Sequence, residues 1–211
     1  MKHVLSLSTL YPNAVNPRFG TFVARSLEAL AKHGCKHGDW RVSVVNPIGL
    51  PPIPLGRYRA LSQLDERAEE NGITVHRPRF TLIPAVGARR NATAIAKAAL
   101  PLVQRIHATD PIDLIDAQFF FPDGPAAAIV AQEMGLPLSI KARGSDINYW
   151  GGYDFARDQM LGAADAATGL LAVSESLAGQ MTDLGMPRGK ITVHYTGLDR
   201  DRFRPLEHTQ L

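Results

Sequence analysis

A doubly wound α/β domain with a mainly parallel sheet is the fold class this sequence predicts, and three observations lead to it. Seven short runs rich in aliphatic and β-branched residues alternate with segments of helical periodicity. That alternation makes each helix a crossover between parallel strands. The Pro-, Asn- and Gly-rich stretches fall between these elements rather than inside them. At 211 residues, with 45% hydrophobic and 20% charged content, the chain suits one large globular domain.

The first strand is the apolar run over residues 3–9. A loop over 11–20 leads into a helix with Val23, Leu27 and Leu30 on one face. Lys32, His33 and Gly34 supply the cations and the glycine of a helix end. The second strand covers 41–46. Residues 47–56 hold four prolines and two glycines and read as a loop. Residues 61–70 read as a charged, mostly exposed helix, 72–78 as the third strand and 79–90 as irregular. A helix over 92–107 carries Ile95, Ala99, Leu102 and Ile106 on one face, and Pro101 kinks or splits it. The fourth strand is 112–118, its loop 119–124, and Pro125 opens the next helix at a favoured position. The fifth strand is 138–142, followed by a helix at 158–164 and the sixth strand at 168–173. Ser174 caps a helix with Leu177, Met181 and Leu184 inward. The seventh strand is 190–195. Such a Rossmann-like sheet binds ligands at the carboxyl ends of its strands.

Bulk properties exclude several classes. The net charge is only +3, with a sequence pI near 9.2, and the arginines are scattered, so no nucleic-acid stripe is present. Their one concentration lies between Arg77 and Lys97. Cys35 is the single cysteine, so no internal disulfide forms, which fits a reducing, cytoplasmic setting. The first residues lack the long apolar core and small-residue cleavage site of a secretion signal. No apolar run reaches the ~18 residues of a membrane span.

The strand-end loops carry the chemistry. In the first, Arg18, Gly20 and Thr21 stand just before a helix, where backbone amides bind anions. A phosphate cradle and an ordinary turn are both open readings. The glycine fingerprints of dinucleotide and P-loop proteins are missing, which counts against a cofactor-dependent reductase. In the fourth loop Phe119, Phe120 and Phe121 either stack on a sugar or pin the loop, with at least two in the core. Asp123 and Gly124 form its turn. The fifth loop gathers Lys141, Arg143, Gly144, Ser145 and Asp146. A guanidinium there would hold a phosphate or carboxylate, while the bland alternative is an Arg143–Asp146 pair with Ser145 as turn cap. Ser174 reads first as a helix cap, and Thr196 and Gly197 lie at the cleft edge. His33, Cys35 and His37 lack a fourth ligand, so no metal is assigned. There is no nucleophile elbow and no carboxylate pair for glycoside hydrolysis.

Five pieces in order resemble one family. They are residues 17–27, the 113–124 strand and loop, the Arg143-Gly-Ser-Asp-Ile turn, the 170–176 strand-to-helix joint and the 191–205 exit. The chain resembles the N-terminal domain of a GT-B-fold glycosyltransferase of family 4, a retaining family. The resemblance implies a transferase that moves a sugar from a nucleotide-sugar to a glycan, lipid-linked or small-molecule acceptor, as in polysaccharide biosynthesis. It implies no cofactor and no metal, with the nucleotide-sugar as co-substrate. The N-terminal domain would hold the acceptor and one cleft wall. A C-terminal domain, missing here, would hold most of the donor, so this chain alone would be inactive. Relatives with lipid-linked acceptors suggest peripheral membrane contact through the basic stretch from Arg77 to Lys97, for which a solvated basic face is the preferred reading.

By the same resemblance Gly20 contacts the donor diphosphate, with Arg18 and Thr21 beside it. Arg143 and Asp146 take the catalytic positions of the family's His-Gly-x-Asp turn, with Arg143 replacing the histidine. Gln118 stands where many members have a second histidine. The acceptor and cleft set is Gln118, Phe119, Asp123, Gly124, Gly144, Ser145, Ser174, Thr196 and Gly197. Residues 1–200 are expected to form the domain, and 201–211 the start of an interdomain linker or a truncated tail. The alternative is a stand-alone glycan- or nucleotide-binding module without transfer.

Overall fold

The computed structural model describes residues 1–83 and 87–197. The exit segment expected beyond residue 197, including the linker at 201–211, lies outside the described residues. The strands are β1 (Lys2–Leu7), β2 (Trp40–Val45), β3 (Ile48–Leu50), β4 (Arg67–Glu70), β5 (Ile73–His76), β6 (Arg79–Thr81), β7 (Leu114–Ala117), β8 (Leu138–Ala142), β9 (Gly169–Ala172) and β10 (Ile191–Val193). The α-helices are α1 (Thr21–His37), α2 (Arg57–Ser62), α3 (Ala88–Thr109), α4 (Asp123–Met134), α5 (Ser145–Asn148), α6 (Asp154–Ala166) and α7 (Glu175–Asp183).

Eight strands form one sheet in the order β10-β9-β8-β7-β1-β2-β5-β4, and β3 pairs with β6 in a separate ribbon. Every pairing is parallel except β4 with β5. The chain builds outward from β1 through β2 and β5, then returns to the other side of β1 as β7. The strand order therefore reverses at β1 and β7, and a crevice opens above their carboxyl ends.

Alternation along β2 shows that both faces are covered. Val42 and Val44 pack with Val23 and Leu27 of α1, whereas Val45 joins Ile95, Ala99 and Val103 of α3. Successive strand residues point to opposite faces, so α1 and α3 flank the sheet from opposite sides. Burial of β-branched and aliphatic strand residues on both faces is what a parallel sheet requires.

Several elements differ from the sequence reading. Residues 61–70 are not one helix: α2 ends at Ser62 and β4 runs antiparallel to β5. Asn71 and Gly72 join them with φ of 51° and 79°. An Asn-Gly pair with both φ positive is the strongest short hairpin signal, and the acidic content of the segment masked it. The loop at 47–56 and the irregular stretch at 79–90 contain β3 and β6, which continue the β2–β5 pairing past Pro47 and Pro78. The first helix passes Gly34 and ends at Gly38, in a left-handed conformation with φ of 72°. Gly34 stays inside the helix because Trp40 packs where a Cβ would stand. Pro101 neither splits nor ends α3, since its ring sits on the exposed side. Pro125 is the third residue of α4 rather than its first, still within the turn whose N–H groups lack partners. The helix at 158–164 is longer, as α6, and is preceded by the one-turn α5.

Candidate functional site

The crevice at the β1/β7 reversal holds a cleft of about 390 Å³. Arg143 and Ser145 reach it from the loop after β8, Phe119 from the loop after β7 and Thr196 from the segment after β10. Leu10, Phe22 and Val173 complete the lining. Sequence reasoning missed these three, because apolar residues at strand ends carry no chemical signal of their own.

Arg143 is held on three sides. Its Nε donates to the Gln118 carbonyl at 3.2 Å, and Nη2 donates to Gln118 Oε1. The Phe22 ring lies 5.2 Å from the guanidinium carbon. Gln118 is itself fixed by donating through Nε2 to Asp116, whose carboxylate also accepts from Ser6 Oγ at 3.1 Å. A guanidinium has five N–H donors, and these contacts use one on Nε and one on Nη2. Three N–H groups remain, two on Nη1 and one on Nη2, and the end-on pair across Nη1 and Nη2 is a fork suited to a phosphate or carboxylate. Gln118 is buried, so it aims Arg143 rather than lining the cleft.

Asp146 has a different place from the catalytic one assigned to it. Its side chain is fully buried. The carboxylate accepts from the backbone amides of Phe120 (2.7 Å), Arg143 (3.0 Å), Gly144 (2.7 Å) and Ile147 (3.1 Å). It therefore ties the β7 loop to the β8 loop and sets the backbone that launches Arg143. The expected Arg143–Asp146 pair is corrected accordingly: the carboxylate takes the Arg143 amide, and the guanidinium goes to Gln118. Burial pushes the Asp146 carboxyl up, and the four amides pull it the other way. Gly144 supplies φ of 123° at this turn, a region closed to most side chains.

Asp123 and Gly124 also lie beneath the cleft surface, which corrects their assignment to the cleft. Asp123 is fully buried and accepts from Thr9 N at 2.9 Å and Thr9 Oγ1 at 2.7 Å, joining the β1 loop to the start of α4. Burial pushes its carboxyl up to about 7, against the Thr9 donors and with the Asp146 charge. Gly124 packs where a Cβ would meet Ile140 at 3.2 Å. Phe120 and Phe121 are core residues, which leaves Phe119 as the one phenyl of the three in the cleft.

The first loop is split in its placement. Gly20 caps α1 with φ of 70°, and a Cβ there would stand 2.5 Å from the Leu10 carbonyl carbon. It is buried, and its missing side chain lets the loop close on Leu10. Thr21 begins the helix. Arg18 lines a separate hollow with Asn16 and Phe19 and is not brought to Arg143. Ser174 caps α7, accepting from Leu177 N at 3.1 Å. Gly197 is exposed one residue beyond Thr196.

Below Arg143 lies a second cation that the sequence reading gave no separate role. Lys141 is buried and donates from Nζ to His194 Nδ1 at 2.6 Å. Burial lowers Lys141 to about 8, with the Arg143 charge adding and Asp116 opposing. The Lys141 charge in turn lowers His194, which keeps that ring neutral and able to accept. Asp116 acts electrostatically on both Lys141 and Arg143, and Asp146 acts on Arg143 as well. Arg143 is the charged side chain of the cleft lining, and its guanidinium favours an anion there.

Elsewhere, His33 packs on Trp40 and His37 at ring distances of 5.6 Å and 4.4 Å, and Cys35 is exposed. Among the described residues no group of three or more His, Cys, Asp or Glu is placed to hold a metal ion. No helix among them is long and apolar enough to cross a membrane.

Comparison with known proteins adds a lineage to this geometry. A model of the Glycosyltransferase Family 4 matches residues 20–202. The protein named "Putative teichuronic acid biosynthesis glycosyltransferase TuaC", of Bacillus subtilis (strain 168), is 29% identical over 216 residues, 98% of this chain and 52% of its own length. The crystal structure of Anabaena Alr3699/HepE in complex with UDP-glucose superposes with a TM-score of 0.59 at 18% identity, over 94% of this chain and 45% of that one. The UDP-GlcNAc 2-epimerase from Neisseria meningitidis bound to UDP-GlcNAc gives 0.52 at 13% identity, over 92% and 46%. The chain spans about half the length of the relatives it matches. An epimerase among the neighbours shows that the fold is shared by different sugar-nucleotide reactions, so the reaction is argued from the site.

Proposed function

The chain belongs to Glycosyltransferase Family 4 and has the fold of an N-terminal GT-B half, and from that premise we propose that it forms the acceptor-side wall of a retaining glycosyltransferase. In this reading the Arg143 fork receives the diphosphate of a nucleotide-sugar. The carrying observation is the fixation of Arg143, the charged side chain of the cleft lining, by Gln118 and Phe22.

Transfer breaks the anomeric C–O bond to the diphosphate, on whose departing oxygens negative charge builds, and forms one to the acceptor oxygen, whose proton passes to the departing diphosphate. A donor already oriented toward them stabilises that charge without reorganising. Arg143 is such a donor, and it cannot act as a base because it stays protonated. Retention is consistent with this, since the cleft offers a charge stabiliser where an inverting mechanism needs a base for the acceptor hydroxyl. Phe119 gives an apolar face for a sugar ring, and Ser145 and Thr196 give hydroxyls to orient it. No metal or cofactor is assigned to the reaction, because guanidinium charge takes the place of a cation. Polysaccharide biosynthesis, suggested by the name of the Bacillus relative, supplies the first acceptors to try, and uridine diphosphate sugars the first donors.

The relatives' greater length supports a donor site completed by protein outside this span. The 211-residue chain is then expected to show no turnover with a panel of nucleotide-sugars. Robust transfer by this chain alone would refute the half-site reading. Saturable binding of a glycan without transfer, in a protein that carries its complete cleft, would favour a binding module instead.

A further inference from the structure

Five aromatic rings lie in one contiguous cluster beside the cleft, and the reaction proposed above uses none of them. Phe121, at the root of the cluster, is 1% exposed. Trp150 packs on it with ring centroids 4.8 Å apart, and Phe155 meets it edge-on at 6.0 Å. Both are half-buried. Tyr149 stands against Trp150 at 5.1 Å, and Tyr153 against Phe155 at 6.0 Å. These two outer rings are 57% and 43% exposed, with centroids 5.3 Å apart. Packing explains the three inner rings but gives no reason for the outer pair to face water.

The backbone under the outer pair is fixed. Tyr149 N donates to Ser145 O at 3.0 Å, closing the single turn of α5, and Tyr153 N donates to Trp150 O at 3.0 Å. At Gly151 a Cβ would stand 2.9 Å from the Leu184 side chain at the end of α7, so the segment packs closely there. Tyr153 Oη donates to Tyr149 Oη at 3.2 Å, which ties the two rings into one ledge. Ser145 lines the cleft. Tyr149 is four residues further on and shares its side of the turn, which sets their Cβ atoms about 6 Å apart. The ledge therefore starts about one sugar unit from the cleft wall.

We propose that Tyr149 and Tyr153 form an outer subsite for the second or third sugar of an extended glycan acceptor, one built from equatorially substituted pyranoses. Such a ring has flat faces of axial C–H groups and a rim of hydroxyls. A tyrosine matches it with an apolar face and a phenol, and exposed Asn148 adds an amide beside them. Other occupants fit less well. The two outer rings offer on the order of 200 Å², against about 1,000 Å² for a stable protein interface. Stacked nucleic-acid bases call for cations around the aromatic faces, whereas the charged side chains that follow Tyr153 are Asp154 and Arg157, paired with each other at 2.7 Å. The subsite rests on the transferase reading for its acceptor, and narrows that acceptor from any sugar-bearing molecule to a chain of several sugars.

The test is calorimetric titration of the intact protein with cellobiose, cellotetraose and cellohexaose, whose units are equatorially substituted throughout. Affinity is expected to rise about tenfold from the disaccharide to the tetrasaccharide and then level off. Tyr149→Ala/Tyr153→Ala is expected to remove that rise, while Tyr149→Phe/Tyr153→Phe keeps it, because the rings remain. Affinity for uridine diphosphate is expected to stay the same in both variants, which checks that the fold and the Arg143 site are intact. No binding of any member of the series, binding independent of length, or a length dependence that survives in the alanine variant would overturn the subsite. So would an alanine variant that loses uridine diphosphate to the same degree, since the tyrosines would then be structural. Length-dependent binding that needs the tyrosines, in a protein without sugar transfer, would keep the ledge and remove the transferase reading. Transfer whose efficiency ignores acceptor length would remove the ledge and keep the reaction.

Discussion

Arg143 matters through shape as much as charge. Its fork is aimed by Gln118, so Arg143→Lys keeps a cation but loses both the bidentate geometry and the Gln118 contacts. Affinity of the intact protein for uridine diphosphate is expected to fall roughly 10- to 100-fold, as read by calorimetric titration. A second prediction concerns Asp123. Its folded carboxyl titrates near 7, above its ordinary value of 3.8, so between those values the folded state holds a proton that the unfolded chain has lost. Stability therefore falls as pH rises through that window, by an amount on the order of 4 kcal/mol. Asp123→Asn, which still accepts from the Thr9 amide, is expected to flatten this slope in urea titrations at different pH. Asp123→Ala leaves Thr9 without its partners and is expected to cost about 1–3 kcal/mol. Both aspartates looked like site residues in the sequence because a polar side chain at a strand end is a cleft signal. Burial reassigned them, and burial depends on loops arriving from elsewhere in the chain.

At the scale of elements, capping and turn chemistry were readable where a single residue type carries them. Ser174 caps α7 as expected, and β8 has the limits the apolar run predicts. The helix read over 61–70 failed because Glu, Arg and Ala have helical propensity, while pairing to β5 overrides it. The Asn71-Gly72 turn was the signal that could have found β4. In α3 Pro101 removes one backbone donor from an otherwise continuous helix. Pro101→Ala is expected to raise stability by about 1 kcal/mol or more, measured as a higher denaturation midpoint with unchanged m-value. An unchanged or lower midpoint would mean that the unfolded-state stiffening by proline outweighs the restored bond.

For the whole molecule, the reversal of strand order at β1 and β7 decides where the loops meet. It brings residues that follow β1, β7, β8, β9 and β10 to one cleft, and leaves Arg18 in another hollow. In a protein that carries the complete cleft, a charge-stabilised transfer without a resident metal is expected to proceed undiminished after treatment with a chelator such as EDTA. Loss of activity on chelation, restored by a divalent cation, would replace the guanidinium reading with metal-assisted departure of the diphosphate.

Local pattern by itself determined the parallel, doubly wound class, most strand positions and the polar content of the strand-end loops. Those features follow from periodicity and turn residues, which act over a few positions. Tertiary structure decided which of the loop residues face the cleft. Arg143 and Asp146 are three residues apart, yet one reaches the cleft and the other disappears beneath backbone amides. Long-range contacts to Gln118 and Phe120 separate them, and no short-range property of the sequence encodes that distinction.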